Sequence, residues 1–208
     1  MADDTTMVPV LGLVALVWPS REPAPKAASA LEAPISAGYE EALGAGKAKP
    51  IFRPAGTAPA VYGPGDVYNM LVRGEESEGR LFQFEAIVPD GGGPPPHVHS
   101  REDETFYVVR GKLDILMGDR NYSAKAGDFV YIPRGTPHRF KNVGGGQAVQ
   151  LVTFVGAGME KYFEEVFPKV TDRSAPPPPI TQEFLRKMSE AAPKYGMEMP
   201  VPPEARTK

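Results

Sequence analysis

Short runs of β-branched and aromatic residues fill the middle of the chain. From residue 67 to residue 155, seven such runs are separated by Gly, Pro, Asn and Asp at short intervals. Many short strands with turns of this kind predict an all-β sandwich or closed barrel, not alternating β–α–β units. The segments 110–112 and 118–121 are predicted hairpin turns. The predicted strands are 67–72, 81–88, 105–109, 113–117, 129–132, 139–143 and 148–155.

The two ends of the chain have different patterns. Residues 1–65 contain an apolar stretch at 7–18 and are then rich in Pro, Ala and Gly, which predicts an extended N-terminal arm and linker before a barrel at 66–157. In residues 158–208, apolar side chains at spacings of three or four predict helices at 159–167 and 181–192, the second ended by Pro193. The apolar face of that second helix needs a cover, either the barrel mouth or a partner subunit.

Composition narrows the range of partners. The net charge of -3 and the pI of about 5.7 give no basic surface for nucleic acid. The chain has no cysteine, which excludes disulfides, thiolate metal sites and a cysteine nucleophile, and fits a reducing compartment. The apolar N-terminal arm and the open sheet edges predict a homodimer.

The apolar stretch at 7–18 allows two interpretations. It is too short to span a bilayer, and Asp3 and Asp4 precede it where a secretory signal would have Lys or Arg. An arm that packs on the barrel or on a neighbouring subunit is therefore expected, together with a cytoplasmic location and no membrane partner. A truncated export signal is the alternative.

All three histidines of the chain stand at spacings that suit one shared metal ion. His97 and His99 are two residues apart, so on a strand both imidazoles point to the same face. Glu104 follows five residues later, and His138 would come from another part of the barrel wall. Three imidazoles and a carboxylate suit one divalent transition metal ion (Fe, Mn, Co, Ni, Cu or Zn) and leave coordination positions open.

The same residues fit two motifs of the cupin family, and the segment 67–155 resembles cupins throughout. The resemblance implies a double-stranded β-helix, the jelly-roll or cupin barrel, that holds the metal with His97, His99, Glu104 and His138. The first motif has Gly91, His97, His99, Glu104 and Gly111 at the family spacing, and the second has Gly127, Pro133, Gly135, His138 and Asn142. The glycines and Asn142 have structural explanations and are not expected to be catalytic.

Strand alternation predicts an aromatic pocket beside the metal. If Glu104 faces inward, Phe106 does too, and His138 brings Phe140 with it; Phe82 and Phe84 share one face of the strand at 81–88. A pocket of this composition suits a small hydrophobic or aromatic molecule.

The chain also resembles single-barrel bacterial cupins related to quercetin 2,3-dioxygenase, through residues 94–99, 103–107 and 192–198. This resemblance implies cleavage of an aromatic enol or flavonol with O₂. The metal would lower the pKa of the substrate oxygen, Glu104 would be the catalytic base, and the helix at 181–192 would cover the barrel.

Two other functions stay open, because cupins as a family serve many activities. The first is non-catalytic binding or sensing of a small ligand. The second is a metal-dependent isomerase, which would need further acid–base groups, and no histidine remains to supply one.

Overall fold

The computed structural model describes residues 48–156, 158–175 and 177–199. Most of the predicted arm, with the apolar stretch at 7–18, lies outside the described residues. No helix of the described part is long and apolar enough to cross a membrane. The described strands are β1 (Ala60–Tyr62), β2 (Val67–Val72), β3 (Leu81–Val88), β4 (Val98–His99), β5 (Asp103–Arg110), β6 (Lys112–Met117), β7 (Arg120–Lys125), β8 (Phe129–Ile132), β9 (His138–Asn142), β10 (Ala148–Val155) and β11 (Met197–Glu198).

The strands form a jelly-roll β-barrel, as the sequence predicts. A six-stranded sheet has the order β1-β2-β3-β10-β5-β8, and a three-stranded sheet has the order β7-β6-β9. Every pairing between these strands is antiparallel. In β3, buried residues alternate with half-buried ones, which places Phe82 and Phe84 in the core together with Phe106 and Phe140 from the two sheets.

The strands at 67–72, 81–88, 129–132 and 148–155 are confirmed to the residue, and the others are shifted by one or two residues. Three short or polar strands, β1, β4 and β11, were not predicted, nor was β7, in which only Ala124 is buried. The sheet therefore begins at Ala60, before the predicted start of the barrel at residue 66.

One of the two predicted hairpin turns is correct. Gly118 and Asp119 connect β6 to β7, and Met117 pairs with Arg120 across this two-residue turn. The prediction of a hairpin at residues 110–112 is wrong, because β5 pairs with β10 and β8 whereas β6 pairs with β7 and β9. Gly111, with φ of +83°, carries the chain from one sheet to the other.

The C-terminal region covers one end of the barrel. It contains helices α1 (Met159–Val166) and α2 (Gln182–Ala191), and the Thr181 side chain caps α2 by accepting a hydrogen bond from the Phe184 amide at 3.1 Å. A 3₁₀ helix at Ala192–Tyr195 includes Pro193, and β11 then pairs with β4. We call the segment from α1 to β11 the C-terminal cover.

Candidate metal centre

Backbone pairing brings two of the predicted ligands together. His97 and His138 form an isolated antiparallel β-bridge, with a hydrogen bond of 2.9 Å from each amide to the other carbonyl. The imidazole centroids of the two residues are 4.4 Å apart. The meeting of these side chains is thus fixed by main-chain geometry.

The other two predicted ligands come from neighbouring strands. His99 lies on β4, and Glu104 lies on β5 between β10 and β8. The Glu104 Oε2 atom is 2.6 Å from His138 Nε2 and 3.7 Å from His99 Nε2. One ligand atom from each of the four residues lies within 4.8 Å of all the others. The structure therefore brings all four predicted ligands to one point.

Two imidazoles are oriented by backbone carbonyls. His97 Nδ1 lies 2.9 Å from the Pro95 oxygen, and His138 Nδ1 lies 2.8 Å from the Thr136 oxygen. Since a carbonyl can only accept, each Nδ1 carries a proton, and His97 Nε2 keeps its lone pair free. His138 Nε2 lies 2.6 Å from the Glu104 carboxylate and donates to it, and a bound metal ion would replace that proton. This arrangement, with Nδ1–H on a carbonyl and Nε2 facing the ligand point, is common among metal-binding histidines.

The protonation of the cluster suits cation binding. Burial, and then repulsion from His138, lowers the pKa of His97 to about 3. Burial and the two neighbouring imidazoles also lower the pKa of His99. Burial lowers the pKa of His138 as well, but the adjacent Glu104 carboxylate outweighs it, and the net pKa is raised. Near neutral pH, His97 and His99 are therefore neutral imidazoles, the form that binds a metal.

His99 gives the clearest test of fit to a metal. Both of its ring nitrogens are buried, and neither has a hydrogen-bond partner in the described part of the chain. An unsatisfied buried polar atom costs on the order of 1–3 kcal/mol. A cation bound to one nitrogen would remove that cost and would be shared with Glu104 and the other two imidazoles. The residues fit a divalent metal ion.

A small cavity adjoins the cluster. Its volume is about 40 Å³, which is room for a few water molecules. Its wall contains His97, His99 and Glu104, and among the described residues that line it there is no Lys or Arg. The remaining lining is apolar or aromatic: Pro64, Tyr68, Phe84, Pro94, Phe140, Phe154, Met159, Tyr162, Phe163, Phe167, Met188, Met197 and Met199.

Two of the four predicted pocket residues line the cavity, namely Phe84 and Phe140. Phe82 and Phe106 are buried in the core and do not belong to its wall. Phe82 stacks on Phe154 at 5.9 Å between centroids, and Phe106 packs edge-on against Phe140 at 5.6 Å. Both rings support the residues that line the cavity. Contact between substrate and any of the four stays a prediction.

Several lining residues were not predicted. Phe154 shares the inward face of β10 with Val152, so alternation in the segment 148–155 was a usable signal. Met159 and Phe163 belong to the apolar side of the predicted helix, but periodicity does not reveal where that side packs. Nothing local in the sequence marked Tyr68, which comes from β2.

The C-terminal cover forms one side of this cavity. Met188 of α2 and Met197 of β11 are both buried and both line it. The Tyr162 hydroxyl of α1 donates a hydrogen bond of 3.1 Å to the Met188 carbonyl, which joins the two helices. Met197 also pairs with His99 in the β4–β11 ladder. Of the two covers considered for the second helix, the barrel mouth is the one observed.

Comparison with known proteins identifies the domain. Residues 84–154 match the model of the cupin domain family. The chain is 29% identical over 119 residues to quercetin 2,3-dioxygenase of Bacillus subtilis, an alignment covering 56% of this chain and 34% of that protein. It is 38% identical over 72 residues to oxalate oxidase 1 of Hordeum vulgare, covering 31% of this chain and 36% of the other. The chain thus spans about a third of the length of either relative.

Among solved structures, an RmlC-like cupin from Shewanella frigidimarina is similar. The two chains are 19% identical, with a TM-score of 0.47, and the match covers 54% of this chain and 96% of the other.

Proposed function

The chain carries a cupin domain, and on this premise we propose that it is a metal-dependent dioxygenase that cleaves an aromatic enol, of the flavonol type, with O₂. His97, His99, Glu104 and His138 would hold one divalent transition metal ion. The observation that carries the proposal is that this buried cluster contributes three residues to the wall of an aromatic and apolar cavity. The matches to an oxygen-using dioxygenase and an oxidase support the reaction class.

The cavity lining favours a neutral aromatic substrate over a charged one. A diacid or a phosphorylated sugar would need cationic partners beyond the metal, and the described lining contains no Lys or Arg. Aromatic rings and methionine side chains suit a flat hydrophobic ligand instead. The lining therefore supports an enol substrate better than oxalate.

Each residue of the cluster has a distinct task in this proposal. When bound, the metal supplies Lewis-acid chemistry that lowers the pKa of an enol oxygen. Glu104, whose Oε2 lies 2.6 Å from His138 Nε2, accepts the enol proton as general base. The backbone carbonyls of Pro95 and Thr136 hold His97 and His138 in the tautomer that faces the cluster. The aromatic lining excludes water from the enolate.

The small size of the cavity implies that the C-terminal cover moves when a flavonol binds. Sites for drug-sized ligands measure about 300–1,000 Å³, far more than the volume of about 40 Å³ found here. A flavonol would enter only when α2 and β11 move away from the barrel mouth, and their return would enclose it.

The small volume of the cavity also favours a second candidate, non-catalytic binding of a small ligand. A volume of about 40 Å³ admits a few water-sized groups without any movement of the cover. In that case the metal centre would bind a small ligand and catalyse no reaction.

Metal analysis and oxygen uptake together test the proposal. Purified protein should contain close to one divalent transition metal ion per chain, by elemental analysis. It should consume O₂ with one or more members of a flavonol panel, and metal-stripped protein should not. Full metal content without O₂ uptake for any flavonol would contradict the dioxygenase and favour the binding protein.

The homodimer and the cytoplasmic location stay predictions. Light scattering after size-exclusion chromatography would test the homodimer.

A further inference from the structure

A buried tyrosine–aspartate pair stands at the wall of the cavity, outside the metal cluster. Tyr68 on β2 lines the cavity, and its hydroxyl donates a hydrogen bond of 3.1 Å to Asp66 Oδ2. Asp66 is completely buried, and Tyr68 is 3% exposed. The Tyr68 ring is held between Phe84 at 4.9 Å and Phe163 at 5.4 Å between centroids. The phenol is therefore fixed in position.

Glycines leave the space that this pair occupies. A Cβ atom on Gly63 would lie 2.3 Å from the Tyr68 ring, and one on Gly92 would lie 2.7 Å from Asp66 Oδ1. Neither distance is possible without movement of the pair. The backbone is thus shaped around the tyrosine and the carboxyl group.

Asp66 is costly to bury. Its Oδ1 atom makes no hydrogen bond of normal geometry in the described part of the chain. Burial raises its pKa to about 7, although the Tyr68 hydroxyl and the Gly93 amide act to lower it. A buried carboxyl with an unsatisfied oxygen destabilises the folded state, and groups of this kind concentrate at functional sites.

Tyr162, in the wall of the same cavity, is a tyrosine with a structural role and serves as a comparison for Tyr68. Its hydroxyl also points to a protein acceptor, but that acceptor is the Met188 backbone carbonyl. Such a bond needs no buried carboxyl. Tyr68 instead donates to an acidic side chain, which makes its oxygen a stronger acceptor for a second hydrogen bond.

We propose that the Tyr68 oxygen accepts a hydrogen bond from a hydroxyl group of the substrate, and that Asp66 is the positioning residue that holds Tyr68 for this contact. The inference rests on the proposed function and narrows its substrate class. The substrate is an aromatic enol with at least one further hydroxyl group, so that one oxygen lies at the metal cluster and another hydroxyl at Tyr68. The apolar remainder of the cavity holds the ring system.

Two probes that differ in hydroxyl groups test this contact by binding alone. Quercetin carries four hydroxyls beyond the enol, and 3-hydroxyflavone carries none. Co(II)-loaded protein would be titrated with each probe without oxygen, and the dissociation constants read from the absorbance of bound ligand. Tyr68→Phe should raise the dissociation constant of quercetin about tenfold and leave that of 3-hydroxyflavone unchanged. Asp66→Asn should also weaken the binding of quercetin more than that of 3-hydroxyflavone. Tyr162→Phe is the matched control and should preserve the wild-type ratio of the two dissociation constants.

The outcomes separate the inference from the function on which it rests. One contrary result is that Tyr68→Phe weakens the binding of both probes equally, and another is that it weakens the binding of neither, at unchanged cobalt content. Either result would overturn the role of Tyr68 and leave the proposed dioxygenase activity intact. If wild-type protein loaded with cobalt binds neither flavonol, the proposed function and the inference both fail.

Discussion

His97 and His138 face each other across a single antiparallel β-bridge, with a 2.9 Å hydrogen bond in each direction. The bridge joins their main chains, so it does not depend on either imidazole. Removal of a side chain at this position should therefore disturb metal binding more than folding.

His138→Ala is expected to reduce the metal content from close to one ion per chain to a small fraction of that value. The substitution removes one ligand and also the partner that lies 2.6 Å from the Glu104 carboxylate. Elemental analysis after dialysis measures the loss. Lys141→Ala, an exposed change on the same strand, is the control and should retain its metal. Unchanged metal content in His138→Ala would refute the assignment of this ligand.

Glu104→Gln should separate metal binding from catalysis. The amide has nearly the shape of the carboxyl group and can still offer an oxygen, but it cannot accept the enol proton at neutral pH. A general base contributes roughly 10²–10⁴ to the rate. O₂ uptake with a responsive flavonol should therefore fall at least about 100-fold, while most of the metal stays bound. Asp103→Asn, next along β5, breaks a surface ion pair with Arg134 and should leave turnover nearly unchanged.

The metal cluster was predictable from sequence because its ligands lie in two short motifs of recognisable spacing. Two histidines two residues apart share a strand face, and the motif spacing supplied the other two ligands. The pairing of Met197 with His99 was not predictable in this way, because it joins residues almost a hundred positions apart. Likewise β7 has one buried residue in six, so it lacks the alternation that marks a strand. Asp66 is a polar residue in a glycine- and proline-rich turn, and only the three-dimensional packing reveals its burial.

Asp66→Asn should change how stability depends on pH. The pKa of Asp66 is about 7 in the folded protein, against 3.8 for an unperturbed aspartate. Between these values the folded state binds the proton more tightly than the unfolded chain, so the contribution of Asp66 to stability is lost as pH rises from about 4 to about 7. The amide side chain of the variant does not titrate. The free energy of unfolding of the variant, relative to wild type, should thus rise across this window by on the order of 4 kcal/mol and then level off.

Urea denaturation of metal-free protein at several pH values between 4 and 8 measures this difference. Asp119→Asn in the exposed β6–β7 turn is the control, and its difference from wild type should stay nearly flat. A difference for Asp66→Asn that does not vary with pH would show that Asp66 ionises normally in the folded protein.

Met188→Ala tests whether the C-terminal cover limits access to the metal centre. Met188 is 2% exposed and lines the cavity from α2, while its backbone carbonyl, which accepts the Tyr162 hydrogen bond, is unaffected by the substitution. Truncation of a buried methionine costs roughly 2–5 kcal/mol of stability. It also enlarges a cavity that is too small for a flavonol, so KM for bulky flavonols should fall while kcat changes little. Ser189→Ala, exposed on the same helix, should alter neither quantity. If Met188→Ala lowers stability but leaves KM unchanged, substrate must reach the metal by a route that does not pass α2.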